Sequence, residues 1–290
     1  MGNDTTPRMS TTANVVPLED ILLSVIIPCY NEEHTINQIV EIVRSIPVRT
    51  EIICVNDHST DETGARLQEL HASEHIDQLA SHPVNKGKGA AIRTGLSMVT
   101  GDIVVVQDAD LEYNPEEIPG LLQPILDGKA DAVYGSRFRG GRPGRVLFFW
   151  HSVGNGLLTL LSNMLTNITL TDMETCYKVI RTDLVRLFSL KSNRFGFEPE
   201  ITARLAKSGA RIYEIGISYS GRTYAEGKKI NWKDGVAALW HLIRFNLGSR
   251  EAVGVATQLP EFAEAVAQRK RQLSEQVALA NTTDLVRSDG

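Results

Sequence analysis

The chain has 290 residues, and 30 lysines and arginines against 35 aspartates and glutamates leave a net charge of −5. Apolar residues make up 42% and charged residues 22%, a balance that excludes wholesale disorder and fibrous repeats and leaves ample chain for a buried core. The mild acidity excludes the broad basic field of a dedicated nucleic-acid binder, so no nucleic-acid partner is expected.

Residues 1–18 are polar and Thr-rich and read as a flexible N-terminal arm. The short apolar run 22–27, ending at Pro28, predicts a buried strand. Ile36, Ile39, Val40 and Val43 follow at helical spacing and predict a helix with one buried face. A second buried strand is expected over 51–55, a helix over 61–73, a weak strand over 76–81, and a helix starting in the glycines near 87–89. A strand over 102–107, a helix over 115–126 and a strand over 130–134 complete an alternation that predicts right-handed βαβ units and a parallel sheet. The second half is less regular, with a strand over 174–181, a helix over 198–207 and a strand over 211–219. Trp232, Val236, Leu239, Trp240 and Ile243 form a helical stripe, and residues 251–290 read as a helical or flexible tail with Pro260 placed to start a helix. No run reaches the ~18 apolar residues that span a bilayer; the nearest, 146–170, is broken by His151, Ser152, Asn155 and Asn163. Cys29, Cys54 and Cys176 lack CxxC spacing, which points to a reducing, cytoplasmic setting.

In parallel sheets ligands bind beyond the carboxyl ends of the strands. The residues there are polar: Tyr30-Asn31-Glu32, Asn56-Asp57-His58, Asp108-Ala109-Asp110 and Gly135-Ser136-Arg137. Asp108, Asp110 and Glu112 alternate, so strand periodicity places Asp108 and Asp110 on one face. Close like charges call for a cation, and hard oxygen ligands suit Mg²⁺ or Mn²⁺ bridging to a diphosphate; a solvated acidic turn is the plainer reading. Asn31 reads as a helix N-cap, and Asp61 fits a cap better than Asp57. Asn85-Lys86-Gly87-Lys88-Gly89 resembles a phosphate loop but lacks both the Walker A hydroxyl and the dinucleotide glycine spacing. Four arginines without a local acid, at 137, 139, 142 and 145, point to anion binding, as do Arg222, Lys228 and Lys229. A rival lies in His71-Ala72-Ser73-Glu74-His75, the inverted zinc-protease pattern, in which both imidazoles share a helix face and Glu74 acts as base.

Together these segments resemble family 2 glycosyltransferases of the GT-A fold. The matching pieces are SVIIPCYNEE at 24–33, VNDHSTDET at 55–63, NKGKGAAIRTGL at 85–96, QDADLEYNPEEIP at 107–119 and GSRF at 135–138. DMETCYKVIR at 172–181, FGFEPEITARL at 195–205 and ISYSGRTYAEGKKINWKDG at 217–235 bring the chain nearest to the dolichyl-phosphate and polyprenyl-phosphate mannosyl- or glucosyltransferases. The resemblance implies a single Rossmann-like α/β domain over 19–250, with a mostly parallel central sheet flanked by helices.

It also implies roles. Pro28, Tyr30, Glu32, Val55 and Asp57 would hold the base and ribose of a nucleotide-sugar, GDP-mannose or UDP-glucose. Asp108, Ala109 and Asp110 would meet ribose, sugar and metal–diphosphate, with Asp108, Asp110 and Glu112 as the Mg²⁺ or Mn²⁺ ligands. Asp108, Asp110 and Arg137 would be catalytic, Arg137 and Lys228 would grip the donor, and Arg222 and Lys228 the acceptor phosphate. A lipid phosphate is already anionic and attacks without a strong base, and its in-line attack on the anomeric carbon of the nucleotide-sugar would transfer the hexose with inversion. Residues 146–170 would touch the cytoplasmic face of a membrane or form an ordinary core helix, and a loop at 220–231 would close over the donor. A soluble acceptor would instead need a carboxylate base, for which Asp172 and Glu198 are the candidates.

Overall fold

A computed structural model describes residues 15–146, 148–194, 196–223, 232–247 and 253–288. Its strands and helices run β1 (Leu23–Cys29), α1 (Ile36–Ser45), β2 (Thr50–Asn56), α2 (Thr63–Ala72), β3 (Gln78–Ser81), α3 (Lys88–Leu96), β4 (Ile103–Val106), α4 (Ile118–Leu126), β5 (Ala132–Ser136), α5 (Phe149–Thr166), β6 (Lys178–Arg181), α6 (Thr182–Val185), α7 (Phe197–Ser208), β7 (Ile212–Gly216), α8 (Trp232–Leu247) and α9 (Phe262–Ser288).

One seven-stranded sheet has the order β3-β2-β1-β4-β6-β5-β7. β1 pairs in parallel with β2 and β4, with Val25 opposite both Ile52 and Val105. These strands are buried on both faces, which is why they read as apolar runs rather than alternations. The mostly parallel Rossmann-like sheet is therefore present, with one exception. β6 runs antiparallel between β4 and β5. Its N-terminal end, and the 172–177 segment leading into it, thus lie beside the carboxyl ends of the parallel strands.

Helix α1 buries Ile36, Ile39, Val40 and Val43, as their spacing requires. Helix α3 lies so close to β1 that a Cβ on Gly95 would stand 2.5 Å from Ile26. Val16 is buried and its N–H donates to the Leu126 carbonyl at 3.0 Å, so the described end of the N-terminal arm is docked. The tail forms a helix over Phe262–Ser288, and the start of that helix is packed: Phe262 and Val266 are buried, and Arg181 donates to the Pro260 carbonyl at 2.8 Å.

Two helices leave much of their apolar surface exposed. The buried residues of α5 are the small polar Thr159 and Ser162, while Phe149, Trp150, Val153, Leu157, Leu160 and Met164 are exposed. On α8, Ala238, Leu242 and Phe245 are buried, while Leu239, Trp240 and Ile243 of the predicted stripe face outward. An apolar period shows that a face exists but not what covers it. No helix among the described residues is long and apolar enough to cross a membrane.

Candidate functional site

The order of connection reverses between β1 and β4, the place where a doubly wound sheet opens a crevice. Tyr30 and Glu32 follow β1, and Asp108 and Asp110 follow β4, so the two loops flank this switch point. Asp57 follows β2 and Arg137 follows β5.

Beyond β1, Tyr30 is exposed and Pro28 is half-buried. Asn31 is not the N-cap of α1, which starts at Ile36. Its φ is +54°, its N–H donates to Ser59 Oγ at 3.1 Å, and its Oδ1 accepts from the Thr60 N–H at 2.8 Å. It ties the first loop to the second instead. Asp61 does act at the start of α2, accepting the Thr63 N–H at 3.0 Å, and it also accepts the Glu33 N–H at 3.3 Å.

Asp57 is buried and heavily engaged. Its Oδ1 accepts from the Lys86 N–H at 2.8 Å and lies 2.6 Å from His82 Nδ1, and its Oδ2 accepts from the Gly87 N–H at 2.7 Å. His82 Nε2 reaches Thr94 Oγ1 at 2.9 Å. The glycine loop therefore uses the backbone donors of Lys86 and Gly87 on an internal carboxylate, and its Lys88 side chain reaches Asp108. Gly87 has φ +94°, and a Cβ there would stand 2.5 Å from the Asn193 carbonyl, so no other residue fits. Val55 and Ala109 are both buried.

Strand β4 stops at Val106, so strand alternation does not orient the acidic triplet. Asp108 turns to Lys88, whose Nζ is 2.8 Å from Oδ1 and also 3.4 Å from Glu198 Oε1. Burial disfavours the charge on Lys88, but Asp108 and Glu198 more than offset it and hold its pKa above the usual lysine value. Asp110 turns instead to Arg222, with Oδ2 2.9 Å from Nη2. The same guanidinium lies 3.2 Å from Glu112 Oε1 and 3.4 Å from Glu32 Oε1. Tyr219 donates its hydroxyl to Glu112.

Burial pushes the Asp110 carboxyl up to about 7, with Asp108 and Glu112 adding to the shift and Arg222 opposing it. Such a group is short of positive charge. Asp110 and Glu112 supply the hard oxygens a divalent cation takes, and so fit one. Asp108, close enough to raise the Asp110 carboxyl, has Lys88 as its own ion-pair partner. Among the described residues no three His, Cys, Asp or Glu side chains are gathered as an ion site, and the Arg222 guanidinium is wedged between the carboxylates.

Arg137 is locked to Asp172, which is fully buried. Its Nε and Nη2 donate to the two carboxylate oxygens at 2.7 Å each, and its backbone N–H donates to Oδ2 at 3.0 Å. Only the Nη1 edge of the fork carries none of these bonds. Two of the loop's other arginines also find acids from elsewhere in the chain, Arg139 at 3.4 Å from Glu214 and Arg142 at 3.7 Å from Glu117, while Arg145 donates to the Gly221 carbonyl at 3.1 Å. The local lack of acid is thus compensated in space for Arg137, Arg139 and Arg142. Lys228 and Lys229, and the 220–231 loop from 224 onward, lie outside the described residues.

Sequence reasoning missed a buried polar layer behind the acidic triplet. Burial raises Glu174 to about 8, reinforced by Glu198 and opposed by Lys178. Glu174 Oε1, Glu198 Oε2 and Thr175 Oγ1 are buried without a hydrogen-bond partner among the described residues. The antiparallel course of β6 brings these groups here, and nothing local in 172–178 signals it.

The zinc pattern does not form. Helix α2 ends at Ala72, Glu74 has φ +57°, His71 Nδ1 lies 3.2 Å from the Ile76 carbonyl and His75 Nδ1 lies 2.9 Å from Ser73 Oγ. The shared helix face that the pattern requires is absent.

Residues 24–188 match the family model described as glycosyl transferase family 2. The low-salt glycan biosynthesis hexosyltransferase of Haloferax volcanii is 30% identical over 262 residues, covering 89% of this chain and 59% of that relative. The chain therefore spans well under two thirds of that relative's length. The undecaprenyl-phosphate mannosyltransferase of Micrococcus luteus is 28% identical, with 77% of this chain and 98% of that protein covered. Among solved structures, glucosyl-3-phosphoglycerate synthase of Mycobacterium tuberculosis, in complex with Mn²⁺, uridine diphosphate and phosphoglyceric acid, superposes with a TM-score of 0.58. It is 20% identical, with 78% of this chain and 79% of that one covered, a likeness of fold.

Proposed function

Because the chain belongs to glycosyl transferase family 2, we propose that it moves a hexose, mannose or glucose, from a nucleotide-sugar to a polyprenyl or dolichyl phosphate with inversion at the anomeric carbon. The observation that carries this reading is the convergence of Glu32, Asp110 and Glu112 on the Arg222 guanidinium at the sheet's switch point. A guanidinium among hard oxygens supports this reading, because a departing diphosphate and an attacking phosphate need both. The Micrococcus relative, named for an undecaprenyl-phosphate mannosyltransferase, supports the acceptor class.

Tyr30 and the Asp57 loop would hold the base and ribose of GDP-mannose or UDP-glucose, with Pro28, Glu32, Val55 and Ala109 shaping that end. Asp110 and Glu112 would hold Mg²⁺ or Mn²⁺, and Asp108 would act from its Lys88 pair on ribose or sugar. When bound, the metal supplies positive charge opposite the departing diphosphate. Arg137, fixed by Asp172, presents its remaining edge to the donor, while Arg222 and Lys228 receive the acceptor phosphate. That phosphate is anionic at neutral pH and attacks without deprotonation. Asp172 is bound bidentately by Arg137 and Glu198 is paired with Lys88, so neither is placed as a ready base for a neutral acceptor. The apolar face of α5, with Trp150 78% exposed, would rest on the cytoplasmic face of a membrane and receive the prenyl chain.

The test incubates the full chain with Mg²⁺ or Mn²⁺, GDP-mannose or UDP-glucose, and a polyprenyl phosphate. Lipid-linked sugar that disappears with EDTA and in Asp110→Ala is the expected result. Nucleotide release without lipid product would move the acceptor to a soluble molecule, and absence of donor binding would overturn the transferase reading.

A further inference from the structure

Beside the loop that grips Asp57 lies a cleft of about 470 Å³, between the 85–86 turn, the 191–194 loop and α8. Lys86, Lys191, Arg194, His241 and Arg244 line it, and no carboxylate does so among the described residues. Its wall is held firmly. Glu200 accepts the N–H groups of Lys191 and Ser192 at 2.9 and 2.7 Å, and Arg93 donates to Asn193 Oδ1 at 2.6 Å. His241 packs so closely on Gly196 that a Cβ there would stand 2.6 Å from the ring. Two polar atoms in this wall have no partner among the described residues: the Oγ of Ser192, which is only 5% exposed, and the buried Nδ1 of His241. Burial and the nearby Arg244 hold His241 below the usual imidazole range.

Helix α8 explains what such a cleft faces. At about 100° per residue, its surface divides into three sectors. Ala238, Leu242 and Phe245 point to the core, while Leu239, Trp240, Ile243 and Leu247 are exposed. His241 and Arg244 fall between the two sectors, so the cleft's basic edge borders an apolar exposed stripe. Helix α8 packs against α5, whose own apolar residues Trp150, Leu157 and Leu160 are likewise exposed. An apolar stripe edged by cations matches the boundary between acyl chains and anionic headgroups; a site for a free anion has no use for the stripe.

We propose that this cleft binds the phosphate group of an anionic phospholipid at the membrane surface, apart from the site where the acceptor phosphate reacts. The assignment rests on the membrane contact proposed for α5, and it concerns anchoring and orientation rather than sugar transfer. Arg194 and Arg244 are the principal charges, and Ser192 and His241 are short-range partners for the phosphate oxygens.

The test is co-sedimentation of the full chain with vesicles of phosphatidylcholine alone, or with added phosphatidylglycerol. Wild type should prefer the anionic vesicles, and added salt should erase the preference. Removing two surface cations in R194Q/R244Q should lower partition into anionic vesicles roughly thirtyfold. Partition into neutral vesicles and the melting temperature should not change. Equal partition of wild type into both vesicles, or of the variant and wild type into anionic ones, would overturn the phosphate cleft while leaving the α5 contact standing. Failure to bind either vesicle would remove the membrane contact and this proposal together. Saturation of His241 resonances by millimolar inorganic phosphate without vesicles would reassign the cleft to a free anion and defeat the lipid assignment.

Discussion

Arg222 Nη2 stands 2.9 Å from Asp110 Oδ2 across 112 residues of chain, and the same guanidinium reaches Glu32 and Glu112. A side-chain cation therefore occupies the space between carboxylates that would otherwise repel. With its carboxyl already pushed up to about 7, Asp110 depends on a positive neighbour for its charge. Were Asp110 and Glu112 to hold a divalent metal, its charge would compete with the Arg222 guanidinium that now contacts both, and the guanidinium would become available for a phosphate.

Arg222→Gln should therefore raise Mn²⁺ affinity in the absence of donor. Hydrogen bonds to charged groups contribute about 1.5–3 kcal/mol each, so release of even one such contact predicts roughly tenfold tighter binding. The measurement is an electron paramagnetic resonance titration of free Mn²⁺ at pH 8.5, where Asp110 is ionised. Transfer to lipid phosphate should fall in the same variant. Weaker Mn²⁺ binding would show that Arg222 organises the carboxylates rather than competing with the ion.

Asp57 gathers two backbone N–H groups and the His82 ring inside the protein. Asp57→Ala leaves those donors unpaired and should cost about 3 kcal/mol, in the range for breaking a buried charged network. A urea unfolding curve reads the loss directly. Nucleotide affinity should fall with it, because the Lys86–Gly87 turn loses its anchor. A variant as stable as wild type would mean that water replaces the carboxylate, and the loop would then not depend on it.

Strands β1, β2, β4 and β5 were legible because each is buried on both faces and ends in polar residues, so both the sheet and its crevice could be placed from apolar runs. What was not legible depends on partners distant in the chain. Nothing near 178–181 reveals that β6 enters antiparallel between β4 and β5. The acids that neutralise Arg137, Arg139 and Arg142 come from positions 172, 214 and 117. Asp108 and Asp110 pair with Lys88 and Arg222, and the latter arrives from a loop more than a hundred residues later. The outward face of α8 shows the same limit, since periodicity is identical for a core stripe and a surface one.

Glu174 ties stability to pH. Its folded-state value of about 8 lies above the 4.5 of an ordinary glutamate, with burial as the main cause and Glu198 reinforcing it. The folded protein therefore holds a proton that the unfolded chain has released, and stability falls as pH rises through this window. The contribution is fully present below the unfolded value and lost by about pH 8. Glu174→Gln removes the ionisation at nearly constant shape. It should flatten the decline and leave the variant on the order of 2 kcal/mol more stable than wild type at pH 8. Urea midpoints at pH 5, 6.5 and 8 test this, and parallel wild-type and variant profiles would show that Glu174 does not carry the slope.

The exposed face of α5 makes the membrane contact testable apart from chemistry. Trp150 and Leu157 both point away from the core, and the helix's own buried contacts are Thr159 and Ser162. Surface substitutions away from the core usually change stability within about 0.5 kcal/mol, so Trp150→Ser with Leu157→Ser should leave the melting temperature nearly unchanged. If the face meets lipid, the same pair should weaken partition into neutral vesicles by at least about tenfold, because burying a Trp and a Leu contributes several kcal/mol at an interface. An unchanged partition with an unchanged melting temperature would show that α5 does not meet the bilayer. A large drop in melting temperature would instead show that this face is covered in solution by protein.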